Sequence, residues 1–343
     1  MVRIEGIPIE AEYFKSYIPS KIDIFISSIG WEERCPIAWN QIKENKIEVE
    51  RKIIFFYNEV LDKKDPFKGT NSREKNITEF SSMFDLNEND SKLFVQMLDE
   101  STGLKKFQDL LENKYPDISE MSIVFDFSVM VKPYFFILLK LLSIHKKVKK
   151  IFLLYTEPKT YVVKKINFEK LDDAYFTKGS NTPPKDMLSF SGSLDSLKAD
   201  ALVILLGFEG QRAKEITNEI NPDVIIPING FPSYRPEFKD ISILLNDEIL
   251  KETEISKNLQ YAPSNNPFET KNELVSIYQN KKRKYNISIA PLGPKPMALG
   301  CCLFVLENPE CRVVYPYPQE YNPKASSGYE KTWLFMIEFD YSV

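Results

Sequence analysis

The sequence predicts an α/β protein of two tandem Rossmann-like halves with mostly parallel sheets, related by an internal duplication. Three observations carry this. Short, near-continuous apolar runs recur along the 343 residues. Helix-period stretches separate them, which is the pattern of parallel strands covered on both faces. One phrase is also written twice: SIVFDFSVMVKPY at 122–134 and ISIAPLGPKPM at 287–297. In each copy an apolar run breaks, reaches Lys-Pro and continues into a helix-like stretch.

The elements follow in order. Strands are expected at 22–28 (IDIFISS), 51–58 (RKIIFFYN), 92–98 (KLFVQML), 121–128 (MSIVFDFS) and 149–157 (KKIFLLYTE). Helices are expected between them through CPIAWNQIKEN, SREKNITEFSSMF and GLKKFQDLLENKY. Residues 1–175 thus form a first Rossmann-like domain, and the Gly, Ser and Pro of 176–199 mark a linker. A second domain over 200–343 repeats the alternation, with strands at 200–207, 222–229, 240–246, 285–292 and 311–318. The alternating TWLFMIEFDYSV at its end reads as an antiparallel edge strand.

The two halves share five features in the same order, which is the mark of a repeat. A strand ends in Gly-x-Glu with an Arg following, at Gly30, Glu32 and Arg34 and again at Gly207, Glu209 and Arg212. The next strand ends in Asn58 or Asn229; then come Pro66-Phe67 or Pro267-Phe268, Lys132 or Lys295 before a proline, and a Tyr/Pro-rich strand end.

Composition narrows the function classes. The chain is 43% apolar and 27% charged, with 24 Phe and 17 Tyr, enough for a large core without disulfides. Net charge is −4 with both signs interspersed, which gives no strong nucleic-acid signal. The basic runs at 146–150 and 281–284 read as solvated turns entering strands. No apolar stretch is long enough for a membrane span, and MVRIEGIPIE has no apolar region of the signal-peptide kind. A cytoplasmic chain with reduced thiols is expected. Cys35, Cys301, Cys302 and Cys311 show no CxxC spacing and His145 is the only histidine, so neither a metal site nor a cofactor is expected.

In open parallel sheets ligands bind outside the carboxyl ends of the strands, and the repeated residues fall there. Ser28 and Gly30 lie where the first strand turns. Glu32 and Glu33 either cap the following helix or, for Glu32, accept from ribose hydroxyls. Arg34 pairs with a phosphate or with a neighbouring acid. Asp126 and Ser128 end a strand, where Asp126 holds a ribose or a metal-bound water, or caps a helix. Lys132 and Lys295 stand where the helix dipole opposes a cation, so either an anion is bound there or the flexible lysine head lies exposed away from the dipole, and Gly293 sits in a tight turn beside Lys295. Asn58, Asn229, Tyr234 and Arg235 add donors at the same rim, and Glu157 is a general-base candidate or a surface residue. Cys35 is an activated thiol or a packed small hydrophobe. If a reaction is catalysed, carboxylates carry it, with Glu32 and Asp126 the best candidates.

Two halves with Gly30, Glu32, Arg34 and Lys132 matched by Gly207, Glu209, Arg212 and Lys295 resemble the CRISPR-associated Rossmann-fold (CARF/SAVED-like) sensor domains of prokaryotic antiviral defence, in their fused two-copy form. The resemblance implies a nucleotide or oligonucleotide-binding regulatory protein, its ligand held between the halves. Such sensors usually carry an effector nuclease or protease domain, for which two halves in 343 residues leave no room, so the effector is expected to be a separate partner protein. The start IFISSIGWEE has a likeness to Toll/interleukin-receptor and nucleoside-transferase folds, which implies instead a carboxylate-dependent enzyme cleaving an N-glycosidic bond. An interaction scaffold is the third expectation.

Overall fold

The computed structural model describes residues 2–30, 32–57, 79, 82–97, 99–161, 177–180, 183–251, 253–322 and 325–342. Asn58 and Pro66-Phe67 lie outside them. Two units divide the chain: residues 1–161 with 323–343, and residues 162–322. The first unit contributes β1 (Arg3–Glu10), β2 (Lys21–Ile29), β3 (Glu48–Tyr57), β4 (Ser91–Val95), β5 (Ile123–Asp126), β6 (Lys150–Thr156) and β7 (Thr160–Tyr161). The second adds β8 (Thr177–Ser180), β9 (Lys185–Asp186), β10 (Ala199–Leu205), β11 (Val224–Gly230), β12 (Gln260–Ala262), β13 (Tyr285–Pro291), β14 (Arg312–Tyr315) and β15 (Pro318–Tyr321). The chain then returns to the first unit as β16 (Ser326–Ser327) and β17 (Thr332–Asp340).

The first sheet runs β1-β17-β6-β5-β2-β3-β4, and the second β12-β11-β10-β13-β14-β9. From β6 to β4, and from β14 to β12, neighbouring strands are parallel. Each sheet therefore has the 3-2-1-4-5 strand order of a doubly wound fold. Each also carries an antiparallel strand beside its fifth, β17 against β6 and β9 against β14. The central strands are buried on both faces: Ile24, Phe25 and Ile26 of β2, and Leu202, Val203 and Ile204 of β10, are all 0% exposed. That double burial is why these runs are apolar without alternation.

Helices α1 (Ile37–Glu44), α2 (Glu100–Lys114) and α3 (Lys132–Lys140) belong to the first unit. The second has α4 (Gly210–Ile220), α5 (Pro236–Leu245), α6 (Pro267–Lys281) and α7 (Lys295–Glu307). Asp99 starts α2 by accepting from Thr102 N, and Asn266 starts α6 by accepting from Phe268 N and Glu269 N. In α7 every residue from Pro296 to Leu306 is buried, so this helix is apolar all round. Gly300 lets α6 come close, since a methyl there would lie 2.4 Å from the Pro267 carbonyl oxygen. Among the described residues no helix is long and apolar enough to cross a membrane.

Three expectations change. The C-terminal strand β17 is not an edge of the second sheet; it lies inside the first, antiparallel to both β1 and β6. Its partner β1 buries Ile4 and Ile9, and β17 with β1 covers the open side of β6. The expected strand at 240–246 is helical, as part of α5. Phe238 and Ser242 are its buried positions, and the buried Asn246 that caps its end continues a spacing of four rather than two. Finally, the expected linker at 176–199 holds β8 and β9, and β9 extends the second sheet through Val314–Asp186 and Tyr315–Lys185 pairing.

Candidate functional site

In the first unit the strand ends are tied together from within. Side chains alternate along β2, so Ser27 reaches one face and Ser28 the other. Ser27 Oγ donates to Asp126 Oδ2 at 2.8 Å. The other carboxylate oxygen accepts from Ser128 N at 2.9 Å and from Ser128 Oγ at 2.5 Å. Ser128 Oγ in turn accepts from Thr156 N at 2.8 Å. Asp126 therefore joins the ends of β2, β5 and β6. It is 1% exposed and Ser128 is 0% exposed, and a carboxylate so deeply buried depends on donors like these. The helix-cap expectation for Asp126 gives way to this clamp, because the residue before α3 is Val131, with no side-chain cap. Ser28 is fully buried in the strand, and its Oγ has no partner.

Arg34 occupies the turn leading to α1. Its Nε and Nη2 donate to Glu32 Oε2 and Oε1 at 2.9 and 3.2 Å, and Nη1 donates to the Thr156 carbonyl at 2.7 Å. The guanidinium also lies 5.6 Å from the centre of the Tyr155 ring. Burial works against its charge, but Glu32 and its hydrogen bonds hold the Arg34 pKa above the ordinary value. Glu32 accepts further from Ser326 Oγ at 2.6 Å, and Glu33 from Gly328 N at 3.0 Å. The two acids thus hold the segment before β17 against the strand ends. Glu32 and Arg34 pair with each other and with protein, and Arg34 meets the Asp126 clamp at Thr156. At Gly30 a methyl would meet nothing within 4 Å, so packing by those neighbours does not require glycine there.

Two other candidates resolve differently. Cys35 is fully buried, and burial pushes its thiol up to about 12, so it is a packed small residue rather than an activated thiol. Glu157 is 6% exposed and accepts from Trp333 Nε1. Burial raises its carboxyl to about 7; the Trp333 hydrogen bond opposes the rise, and nearby Glu330 and Glu10 add to it. Its place follows from β17, which brings Trp333 opposite Tyr155.

The second unit has residues at the corresponding strand ends, with different contacts. Gly207 and Gly293 face each other across the ends of β10 and β13. A methyl on Gly207 would lie 2.6 Å from the Leu292 oxygen, and one on Gly293 2.9 Å from the Leu206 oxygen. These glycines serve the close approach of two backbone loops. Gly210, in the place of Glu33, packs on the end of α5, where a methyl would clash with the Leu245 oxygen. Asn246 Nδ2 and Ser242 Oγ reach the Gly207 carbonyl at 2.8 and 3.2 Å. Asn229 is 1% exposed and donates to the Lys239 carbonyl at 3.0 Å, so it braces β11 rather than lining a rim.

Arg212 stands in the first turn of α4, 5% exposed, with Nε 3.6 Å from Glu209 Oε1. Its Nη1 and Nη2 are buried without a hydrogen-bond partner. Lys132 and Lys295 each occupy the first position of their helices, α3 and α7, and both are half-buried. Tyr234 and Arg235 are half-buried ahead of α5, and Phe238 N donates to the Arg235 carbonyl at 3.0 Å.

Sequence reasoning passed over Thr156, Ser27, Tyr155 and Ser326. Thr156 lies inside the Tyr-rich strand end YTEP, which was a usable signal. Ser326 had none, because its contact with Glu32 spans 294 positions. Among the described residues no group of three or more His, Cys, Asp and Glu side chains is arranged to hold a metal ion. In comparison with known proteins, no family model and no curated protein matches the chain.

Proposed function

We propose that this chain is a binding and regulatory protein for a nucleotide-class ligand, taken up at the carboxyl ends of parallel strands, whose state is passed to a separate effector. The observation that carries the reading is the same strand order in both units, with an arginine in the turn after the central strand and a lysine opening the helix after the fourth. Doubly wound sheets of this order bind ligands where the order reverses, here at β2/β5 and β10/β13. Helix N-termini at those points attract anions. The sensor domains of antiviral defence provide the model for a ligand-reading module that acts through an effector.

The reading as a binder rather than an enzyme is supported by Glu32 and Asp126, whose carboxylates are occupied by Arg34, Ser326, Ser27 and Ser128. The test is a thermal-shift screen against mono-, di- and cyclic nucleotides, followed by mass analysis of the nucleotide. A rise in melting temperature with the nucleotide recovered intact is expected. A consumed nucleotide would move the assignment to a carboxylate-driven enzyme, and no shift with any member of the panel would leave the scaffold reading.

A further inference from the structure

Both units place an arginine after their central strand, and the two are equally buried at 5% exposure. All three donor nitrogens of Arg34 have oxygen partners within 3.2 Å. Arg212 has none for Nη1 or Nη2, and the 3.6 Å separation of Nε from Glu209 is too long for a hydrogen bond. A guanidinium presents such nitrogens as a planar fork that fits two oxygens of a phosphate. The helix it belongs to, α4, is 11 residues long, and its N-cap residue Glu209 makes no side-chain cap. The backbone field there favours an anion as well.

A second observation lies at the neighbouring strand ends of the same sheet. Phe231, which follows β11, and Tyr261, in β12, are 53% and 46% exposed. Their rings are 6.1 Å apart at 76°. Exposed rings beside a phosphate position suit a stacked base. In that sheet β11 lies beside β10 and β12 beside β11, so the ends of β11 and β12 stand one and two strands, about 5 and 10 Å, from the end of β10.

We propose that the phosphate site of this chain is in the second unit alone, with Arg212 Nη1 and Nη2 receiving the phosphate oxygens and Phe231 and Tyr261 receiving the base. This rests on the nucleotide-binding reading and narrows it to one nucleotide unit per chain. Glu209, 3.6 Å from Arg212 Nε and with 17% of its side chain exposed, is the acid whose charge opposes an arriving anion.

Isothermal titration of the full chain with AMP and with inorganic phosphate tests this. One equivalent per chain is expected. Arg212→Met should weaken both probes at least tenfold, while Phe231→Ala should weaken AMP and leave inorganic phosphate unchanged. Two equivalents per chain, or a folded Arg212→Met that binds AMP within twofold of the parent, overturns the assignment and leaves nucleotide binding intact. Phosphate bound through Arg212 with no response to any nucleotide of the panel sustains the arginine's role and removes the nucleotide reading. Binding of neither probe overturns the site. Should Arg212→Met melt far below the parent, Glu209→Gln carries the same test: phosphate binding should tighten severalfold, and no change sinks the proposal.

Discussion

Arg34 and Arg212 occupy the same topological place in two sheets of the same strand order, yet their surroundings differ at each nitrogen. Arg34 is held by Glu32 and by the Thr156 carbonyl, and Glu32 is shared with Ser326. Arg212 has a long ion pair to Glu209 and two nitrogens without a partner. The difference traces to β6 and β17. In the first unit the end of β6 turns its carbonyl toward the arginine, and the segment leading into β17 supplies a serine hydroxyl. In the second unit the strand beside the fifth is the two-residue β9. A saturated arginine is a structural part, whereas the unsaturated one is where the proposed phosphate site is assigned.

The largest expected effect tests that contrast directly. Arg34→Met leaves Glu32, whose side chain is 17% exposed, without its cation and should cost about 3 kcal/mol in urea denaturation. Arg212→Met removes two unsatisfied donors and should cost under about 1 kcal/mol, because apolar replacement of poorly paired buried charge is often neutral. Equal losses would break the comparison.

Next in size is the pH dependence of the first unit. Glu157 is raised to about 7 in the fold from an ordinary 4.5. The folded state therefore favours the protonated form. That contribution is whole below pH 4.5 and is lost as pH rises through 7. Glu157→Gln stays neutral, so its stability relative to the parent should improve from pH 5 to pH 8, by an amount on the order of 3 kcal/mol. A difference that stays flat across this range would show the carboxyl to be ordinary.

Asp126→Asn should cost roughly 1–3 kcal/mol, because the amide cannot accept at both positions from Ser27 and Ser128. It should do so without changing nucleotide affinity; a loss of affinity with stability preserved would return Asp126 to the ligand. The smallest stability effects are expected at Lys132→Ala and Lys295→Ala, each under about 1 kcal/mol by the helix-dipole argument. Titration should separate them, with Lys295→Ala weakening AMP and Lys132→Ala leaving it unchanged. The reverse result would shift the site to the first unit.

Much of the fold was legible in the residues. The apolar runs at 22–28, 200–207 and 285–292 coincide with central strands because burial on both faces demands them. The run at 240–246 misled, since Ile-Leu-Leu fits a strand as well as one face of a helix, and only the Phe238–Ser242–Asn246 spacing distinguishes the two. At the site, the positions of Glu32, Arg34, Glu209 and Arg212 were legible as places where strands end. Their roles were not, because a carboxylate or guanidinium reads the same whether it meets a ligand or a buried neighbour.

The sequence by itself therefore determined the α/β class, the parallel central strands and the strand-end location of the charged residues, all of which follow from local periodicity. Tertiary structure decided that β17 returns to the first sheet, that Ser326 and Thr156 complete the shell of Arg34, and that Arg212 has no such shell. Those outcomes depend on contacts between residues more than a hundred positions apart, and local pattern carries no record of such partners.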